Sequence, residues 1–91
     1  MPVVKLRAPL RDRAGGGADH DLPGGTVGEV LRALEERHPT VKGWILDEHG
    51  RIRSHVNVYV NGERSSADTP VASSDGLLVL PSISGGARRD G

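Results

Sequence analysis

The chain contains no cysteine and no phenylalanine, and its only aromatic residues of the Phe, Trp and Tyr group are one Trp and one Tyr. The absence of cysteine excludes disulfides, thiolate metal sites, iron–sulfur ligation and a cysteine nucleophile. Lys plus Arg and Asp plus Glu both total 12, so the formal net charge is zero and no polybasic block is present. We therefore expect neither nucleic acid nor an anionic membrane surface among the partners.

Long apolar runs are also missing. No segment approaches the length that spans a bilayer, and the N-terminus lacks the charged and then apolar pattern of a secretion signal. A soluble, cytoplasmic protein is expected. At 91 residues the chain makes one domain, short of the size at which a deep enzymatic cleft is easily built. A stand-alone enzyme is disfavoured, and a monomer is the default expectation.

The first third of the chain predicts a β-hairpin. Apolar and polar residues alternate from Val4 to Leu10, which is typical of a half-buried strand, and Pro9 places the end of this strand near a sheet edge. The polar and glycine-rich segment 11–17 is predicted to be a loop. Residues 19–22 then return as a short second strand.

A helix is predicted to begin at Thr26. Thr26 and Glu29 have the spacing of a capping box, in which each side chain satisfies a backbone N–H of the first turn. Four apolar residues at helical spacing then form one stripe: Val27, Val30, Leu31 and Leu34. His38 precedes Pro39 and ends the helix, because a residue before proline is disfavoured in the helical region.

The second half of the chain predicts further strands. Residues 44–46 are expected to form a short turn or strand that packs an anchor onto the core. The segment 55–60 alternates three valines with polar residues and runs into the hairpin-turn pair Asn61-Gly62. Residues 63–75 have room for a short edge strand, and the last strand covers 77–80.

These elements give one helix laid across a mixed sheet of four or five strands, a two-layer α+β fold. Their order matches the ubiquitin-like β-grasp. We expect residues 1–84 to form this domain with its C-terminal tether, and residues 85–91 to form a Gly-Gly tail with a short extension. Gly85-Gly86, placed shortly after the last strand, is the most informative feature, because it indicates a backbone end presented to another protein's active site.

Taken together, these segments resemble the ThiS/MoaD sulfur carriers, the prokaryotic ubiquitin-like proteins of thiamine, molybdopterin and related cysteine biosynthesis. The resemblance covers nearly all of residues 3 to 86. Its motifs are Thr26 to Leu31 with Leu34, Val56 to Glu63, Asp75 to Pro81, and Gly85-Gly86. The Leu80-Pro81 pair with its small, partly apolar tether is most similar to the cysteine-biosynthesis branch.

The resemblance implies a chemistry for the tail. An E1-like adenylyltransferase would use ATP to convert the Gly86 carboxylate to an acyl-adenylate, and a sulfur donor would displace AMP to leave a thiocarboxylate. A downstream sulfur-accepting synthase would then receive the sulfur. The chain itself would bind no cofactor and would contribute no catalytic residue. The segment that would thread partner active sites is Pro81, Ser82, Ile83, Ser84, Gly85 and Gly86, where glycine passes a narrow channel without steric conflict.

The extension Ala87 to Gly91 departs from the family pattern. It implies a precursor that a protease, of the zinc-dependent JAMM type, cuts between Gly86 and Ala87. Two alternatives stay open: Gly91 is itself the functional terminus, or the extension is a permanent block.

A partner surface beside the tail is predicted at Tyr59, Leu77 and Val79, on condition that Leu78 and Leu80 point inward. The opposite register would bury Leu77 and Val79 in the core. The four histidines have no metal-ligand spacing, and no serine lies in a nucleophile elbow.

Two other functions remain open. One is a ubiquitin-like modifier that forms isopeptide bonds to lysines through the same activated glycine. The other is a small interaction domain that binds its partners non-covalently.

Overall fold

The computed structural model describes residues 1–8, 10–17 and 19–81. In these residues five strands form one sheet, and two α-helices and one 3-10 helix accompany it. The strands are Val3–Leu6 (β1), Asp19–Asp21 (β2), Val56–Val60 (β3), Glu63–Ser65 (β4) and Gly76–Pro81 (β5). The helices are Leu10–Arg13 (α1), Val27–Arg37 (α2) and the 3-10 helix Pro39–Val41.

The sheet order is β2-β1-β5-β3-β4, with β5 in the centre. β5 runs parallel to β1 and antiparallel to β3, while β1 with β2 and β3 with β4 form antiparallel pairs. The sheet is therefore mixed, and α2 is the main helix that packs on it. The predicted ubiquitin-like β-grasp is confirmed.

Helix α2 begins and ends where the sequence predicts. Thr26 Oγ1 accepts a hydrogen bond from the N–H of Glu29 at 3.2 Å. The carboxylate of Glu29 accepts from the N–H of Gly25 at 2.8 Å, one residue before the N-cap. At the other end the N–H of His38 donates to the carbonyl of Leu34. Of the N–H groups that a helix start leaves without helical partners, that of Glu29 is thus accounted for by the N-cap side chain.

The loop before β5 supplies carbonyls to the same helix start. The N–H of Val27 donates to the Thr69 carbonyl and that of Gly28 to the Ala67 carbonyl, both at 2.9 Å. A Cβ at position 28 would lie 3.2 Å from the Ala67 oxygen. Glycine therefore permits the close approach by which this loop is fixed to the helix.

One hydrophobic cluster fills the space between α2 and the sheet. The apolar stripe of the helix is buried at Val27, Val30, Leu31 and Leu34, as predicted. Alternate residues of three strands face it: Val4, Leu6, Val56, Val58, Val60, Leu77 and Val79. The ends of the cluster are closed by Leu10, Ala14, Leu22, Val41, Ile45 and Leu46.

One sequence expectation, on the end of β1 and the loop that follows it, was wrong in detail. β1 ends at Leu6 rather than at Leu10, and residues Leu10–Arg13, expected at the end of this strand and in the loop, form α1. Leu10 and Ala14, one helical turn apart, are both buried, and this anchoring selects a helix. The core anchor expected in segment 44–46 is confirmed: Ile45 and Leu46 supply it, and Trp44 is 43% exposed.

Candidate functional site at the end of the central strand

The candidate tail leaves the sheet from its central strand. Pro81, the last residue of β5, lies opposite Val56 of β3, and Val79 lies beside Leu6 of β1. A central strand has neighbours on both sides, so β5 is held by two ladders of backbone hydrogen bonds, of which the β1 ladder ends at Val79 and the β3 ladder reaches Pro81. Of the predicted tail residues, Pro81 is described; Ser82, Ile83, Ser84, Gly85, Gly86 and Ala87 lie outside the described residues.

The outer face of the sheet, away from α2, carries a row of side chains beside this exit. Leu78 of β5 lies opposite Lys5 of β1 and opposite Tyr59 of β3. Arg64 of β4 lies opposite Tyr59 and continues the row. Leu78 and Tyr59 are half-buried, while Lys5 and Arg64 are exposed. A partly apolar strip with a cationic side chain at each end therefore crosses the sheet.

Leu80 extends the apolar part of this strip toward the tail, because it faces the same side as Leu78 and lies opposite Asn57. A shallow depression in the outer face is lined by Lys5, Tyr59, Asn61, Gly62, Gly76, Leu77, Leu78 and Leu80. We call Tyr59, Leu78 and Leu80 the outer strip.

The predicted exposure of Leu77 and Val79 was wrong. These residues are 1% and 0% exposed and belong to the core cluster. The parallel pairing with β1 places Leu77 beside the buried Val4 and Val79 beside the buried Leu6. Leu78 and Leu80 consequently face outward, and of the three residues proposed for the partner surface only Tyr59 lies on the outer face.

The end of the sheet farthest from the tail is fixed by Asn61 and Asp75. Asn61 has φ +51° and Gly62 has φ +88°, which is the geometry of a two-residue hairpin turn. Asn61 Nδ2 donates to Asp75 Oδ1 at 2.9 Å, and the N–H of Ala72 donates to Asp75 Oδ2 at 2.8 Å. The hydrogen bond from Ala72, followed by that from Asn61, lowers the pKa of Asp75.

Two of the four histidines contact each other across the helix end. The rings of His20 on β2 and His38 after α2 meet edge to face, with centroids 4.8 Å apart. Burial, then the charge of His20, then that of Arg37 lower the pKa of His38. In the described part of the chain no three His, Cys, Asp or Glu side chains come together in a way that could hold a metal ion.

An arginine and tryptophan pair was not foreseen from the sequence. The guanidinium carbon of Arg13 lies 3.7 Å from the centroid of the Trp44 ring. This cation–π contact covers one face of the partly exposed Trp44 ring. Sequence spacing gave no signal for it, since the two residues meet only because α1 lies against the 3-10 helix.

The model of one protein family, the ThiS family, matches residues 4–86 of the chain. The chain belongs to the ThiS family. The matched region includes the described sheet from Val4 onward and ends at Gly86. No helix in residues 1–8, 10–17 and 19–81 is both long enough and apolar enough to cross a membrane.

Two relatives are similar to this chain over almost their whole length. Small archaeal modifier protein 1 of Haloferax volcanii is 36% identical over 84 residues, covering 90% of this chain and 97% of the relative. The sulfur carrier protein CysO of Mycobacterium tuberculosis is 29% identical over 90 residues, covering 92% of this chain and 97% of the relative.

Solved structures of similar proteins have the same fold. A crystal structure of a BexX/CysO complex of Amycolatopsis orientalis aligns with a TM-score of 0.85 at 30% identity, covering 94% of this chain and 100% of the matched chain. The crystal structure of small archaeal modifier protein 1 from Haloferax volcanii aligns with a TM-score of 0.78 at 34% identity, covering 93% and 98%. The chain is therefore a small ubiquitin-like protein of the carrier and modifier type.

Proposed function

We propose that the chain is a sulfur carrier whose mature end is Gly86. The observation that carries this proposal is that the match to the ThiS family ends at Gly86. Two of the similar proteins bear the name sulfur carrier protein CysO, which supports the same proposal. Residues 85–91 then form a functional tail with an extension, attached to a domain of residues 1–84, and the chain is a protein cosubstrate rather than an enzyme.

The proposed reaction begins with an unreactive carboxylate. An E1-like enzyme joins the Gly86 carboxylate to AMP with release of pyrophosphate from ATP. A hydrosulfide donor then attacks the Gly86 carbonyl carbon, the bond to AMP breaks, and loss of the proton on sulfur leaves a thiocarboxylate. The segment from Pro81 to Gly86 spans at most about 18 Å when fully extended. The sheet can therefore dock outside a partner's active site while the tail enters that site. In this reaction the partner holds the ATP.

The outer strip is the proposed docking surface for the partners. Tyr59, Leu78 and Leu80 lie on the same strands that position the tail, and Lys5 provides a charged margin. Half-buried aromatic and aliphatic side chains with a polar rim suit a protein contact. This assignment replaces Leu77 and Val79, whose side chains are in the core.

The extension Ala87 to Gly91 makes the chain a precursor under this proposal. A JAMM-type metalloprotease is the proposed processing enzyme, and it cuts between Gly86 and Ala87. The proposed location is the cytoplasm, where the activating enzyme and a sulfur-accepting synthase of cysteine biosynthesis would meet the carrier. The chain acts as a monomer in each of these encounters.

Substitution at the two candidate termini tests the proposal. Gly86→Val should abolish adenylylation and thiocarboxylate formation in the host while leaving the fold intact, since position 86 lies beyond the last strand. Gly91→Val is the matched control and should be processed and activated normally. Normal activation of Gly86→Val, with loss of activation in Gly91→Val, would instead make Gly91 the functional end.

A second function is favoured by the 36% identity to a small archaeal modifier protein. In that case the same activated Gly86 carbonyl would be attacked by a lysine amine of a target protein, forming an isopeptide bond. Digests of proteins from the host should then contain lysines bearing the chain's C-terminal glycines. Thiocarboxylate without such adducts would favour the carrier alone. A chain that is neither processed nor activated would favour a non-covalent interaction domain.

A further inference from the structure

A cleft at one side of the sheet is bordered by arginines and belongs neither to the tail nor to the outer strip. It lies along β3 at Val56 and Asn57, where β4 has stopped pairing because its ladder covers only residues 58–60 of β3. Segment 49–54 forms one wall and residues 64–68 form the other. Val56 pairs with Pro81, so the cleft is one strand away from the base of the tail.

The cleft has an excess of positive charge. Arg51, Arg53 and Arg64 all line it together with His49, and Asp68 is its one carboxylate. Among the described residues, none of these three guanidinium groups has a carboxylate oxygen within 4.0 Å. Three cations around one cavity repel each other, and this repulsion is relieved when an anion enters.

Arg53 gives a more specific indication. Its Nε atom is buried, and no hydrogen-bond partner for this atom is found in the part of the chain that the structure describes. A buried N–H of a charged group that lacks an acceptor is costly, so such groups in folded proteins mark positions where an acceptor is expected. In the described residues the charge of the Arg53 guanidinium is therefore offset neither by an acceptor at Nε nor by a carboxylate within 4.0 Å.

The wall that carries two of the arginines is held in place by hydrogen bonds that its backbone N–H groups donate. Asp47 Oδ1 accepts from the N–H of His49 at 2.8 Å and from that of Arg51 at 3.0 Å. The N–H of Arg53 donates to the carbonyl of Ile45 at 2.9 Å. The backbone that presents Arg51 and Arg53 is therefore ordered before any ligand binds, which lowers the entropic cost of binding.

The ligand chemistry follows from the donors. Guanidinium groups present several N–H donors in a rigid fork that matches phosphate oxygens, and Ser54, Ser65 and Ser66 add small polar side chains to the lining. We propose that this arginine cleft binds a phosphate group. The proposal is independent of the sulfur-carrier function, because it uses neither the tail nor the outer strip.

Titration of the full-length chain with phosphate tests the proposal. Arginine Nε–Hε cross-peaks of ¹⁵N-labelled protein are followed while sodium phosphate, sodium pyrophosphate or ATP is added at constant ionic strength, with sodium chloride and sodium glutamate as reference titrations. The Arg53 Nε–Hε signal should shift in a saturable way with phosphate and should saturate at lower concentration with pyrophosphate. If ATP binds more tightly than pyrophosphate, the natural ligand is a nucleotide. If the two bind with equal affinity, it is a simple phosphate compound.

Variants distinguish a built site from general attraction. Arg64→Gln, an exposed change on the edge strand, should weaken phosphate binding by about tenfold through the loss of a charge-assisted contact. Lys42→Gln removes a cation outside the cleft and should leave binding unchanged. Phosphate binding by Arg53→Gln is interpreted only together with its melting curve, because Arg53 Nε is buried and its replacement can change the stability. Equal shifts with chloride or glutamate, or equal weakening by Lys42→Gln, would overturn the proposal.

Discussion

The side chain of Asn61 joins the turn between β3 and β4 to the beginning of β5. Its Nδ2 donates to Asp75 Oδ1 at 2.9 Å, and its Oδ1 accepts from the N–H of Gly76 at 3.0 Å. The backbone N–H of Asn61 also donates to the Gly76 carbonyl at 2.9 Å. The start of the strand that carries the tail is thereby fixed to its neighbour.

Replacing Asn61 separates this side-chain link from the backbone turn. Asn61→Gly keeps the positive φ accessible but removes both side-chain hydrogen bonds, and should lower the free energy of unfolding by about 1–2 kcal/mol. Asn61→Ala should cost about 1 kcal/mol more, because alanine is strained at φ +51°. Urea denaturation measures both. Equal stability of the glycine variant and the natural chain would show that the side-chain link contributes nothing.

The lowered pKa of Asp75 predicts a dependence of stability on pH. The hydrogen bonds from Ala72 and Asn61 favour the carboxylate in the folded chain, so its pKa lies below the value of 3.8 for an unperturbed group. The stability that it contributes is fully present above pH 3.8 and is lost as the pH falls through the folded pKa. Asp75→Asn should flatten the acid limb of the stability curve. An unchanged acid limb would contradict this assignment.

The two faces of β5 predict opposite outcomes for adjacent leucines. Leu77→Ala leaves a cavity in the core and should lower the free energy of unfolding by about 2–5 kcal/mol. Leu78→Asp changes a half-buried position on the outer face and should preserve the fold while weakening the complex with the activating enzyme. Melting temperature and binding to that enzyme are measured on the same samples. Full binding by folded Leu78→Asp would remove the outer strip from the docking surface.

The contact between His20 and His38 predicts a titration that NMR can follow. Burial lowers the pKa of His38 below 6.5, and the charges of His20 and Arg37 add to this. His20→Asn should therefore raise the pKa of His38, whereas His49→Asn should not. The unfolded chain binds a proton at His38 more readily than the folded chain does. The contribution of neutral His38 to the free energy of unfolding is therefore complete above pH 6.5 and declines as the pH falls below it. A His38 pKa unaffected by His20→Asn would refute the coupling.

The sequence was most informative where its pattern allowed a single solution. Strict alternation from Val56 to Val60 assigned the faces of β3 correctly, and Asn61-Gly62 located the turn. In β5 the run Leu77 to Leu80 is apolar at every position, so alternation could not determine which leucines face the helix. Its pairing with β1 and β3 determines this, and that pairing is a property of the assembled sheet.

Other features depended on contacts between distant segments. Leu10 continued an alternating pattern, yet its burial together with Ala14 favours a helix. The arginine cleft combines Arg53 with Arg64 across a gap at the sheet edge, which no local spacing reveals. The candidate tail, in contrast, was evident from order alone, because Gly85-Gly86 follows the last strand by a short tether.

Intact mass spectrometry of the chain recovered from its native host tests the central claim most directly. The sulfur-carrier account predicts a species that ends at Gly86, part of which has one carboxylate oxygen exchanged for sulfur. Recovery of only the full-length chain ending at Gly91, with no thiocarboxylate under any growth condition, would contradict it.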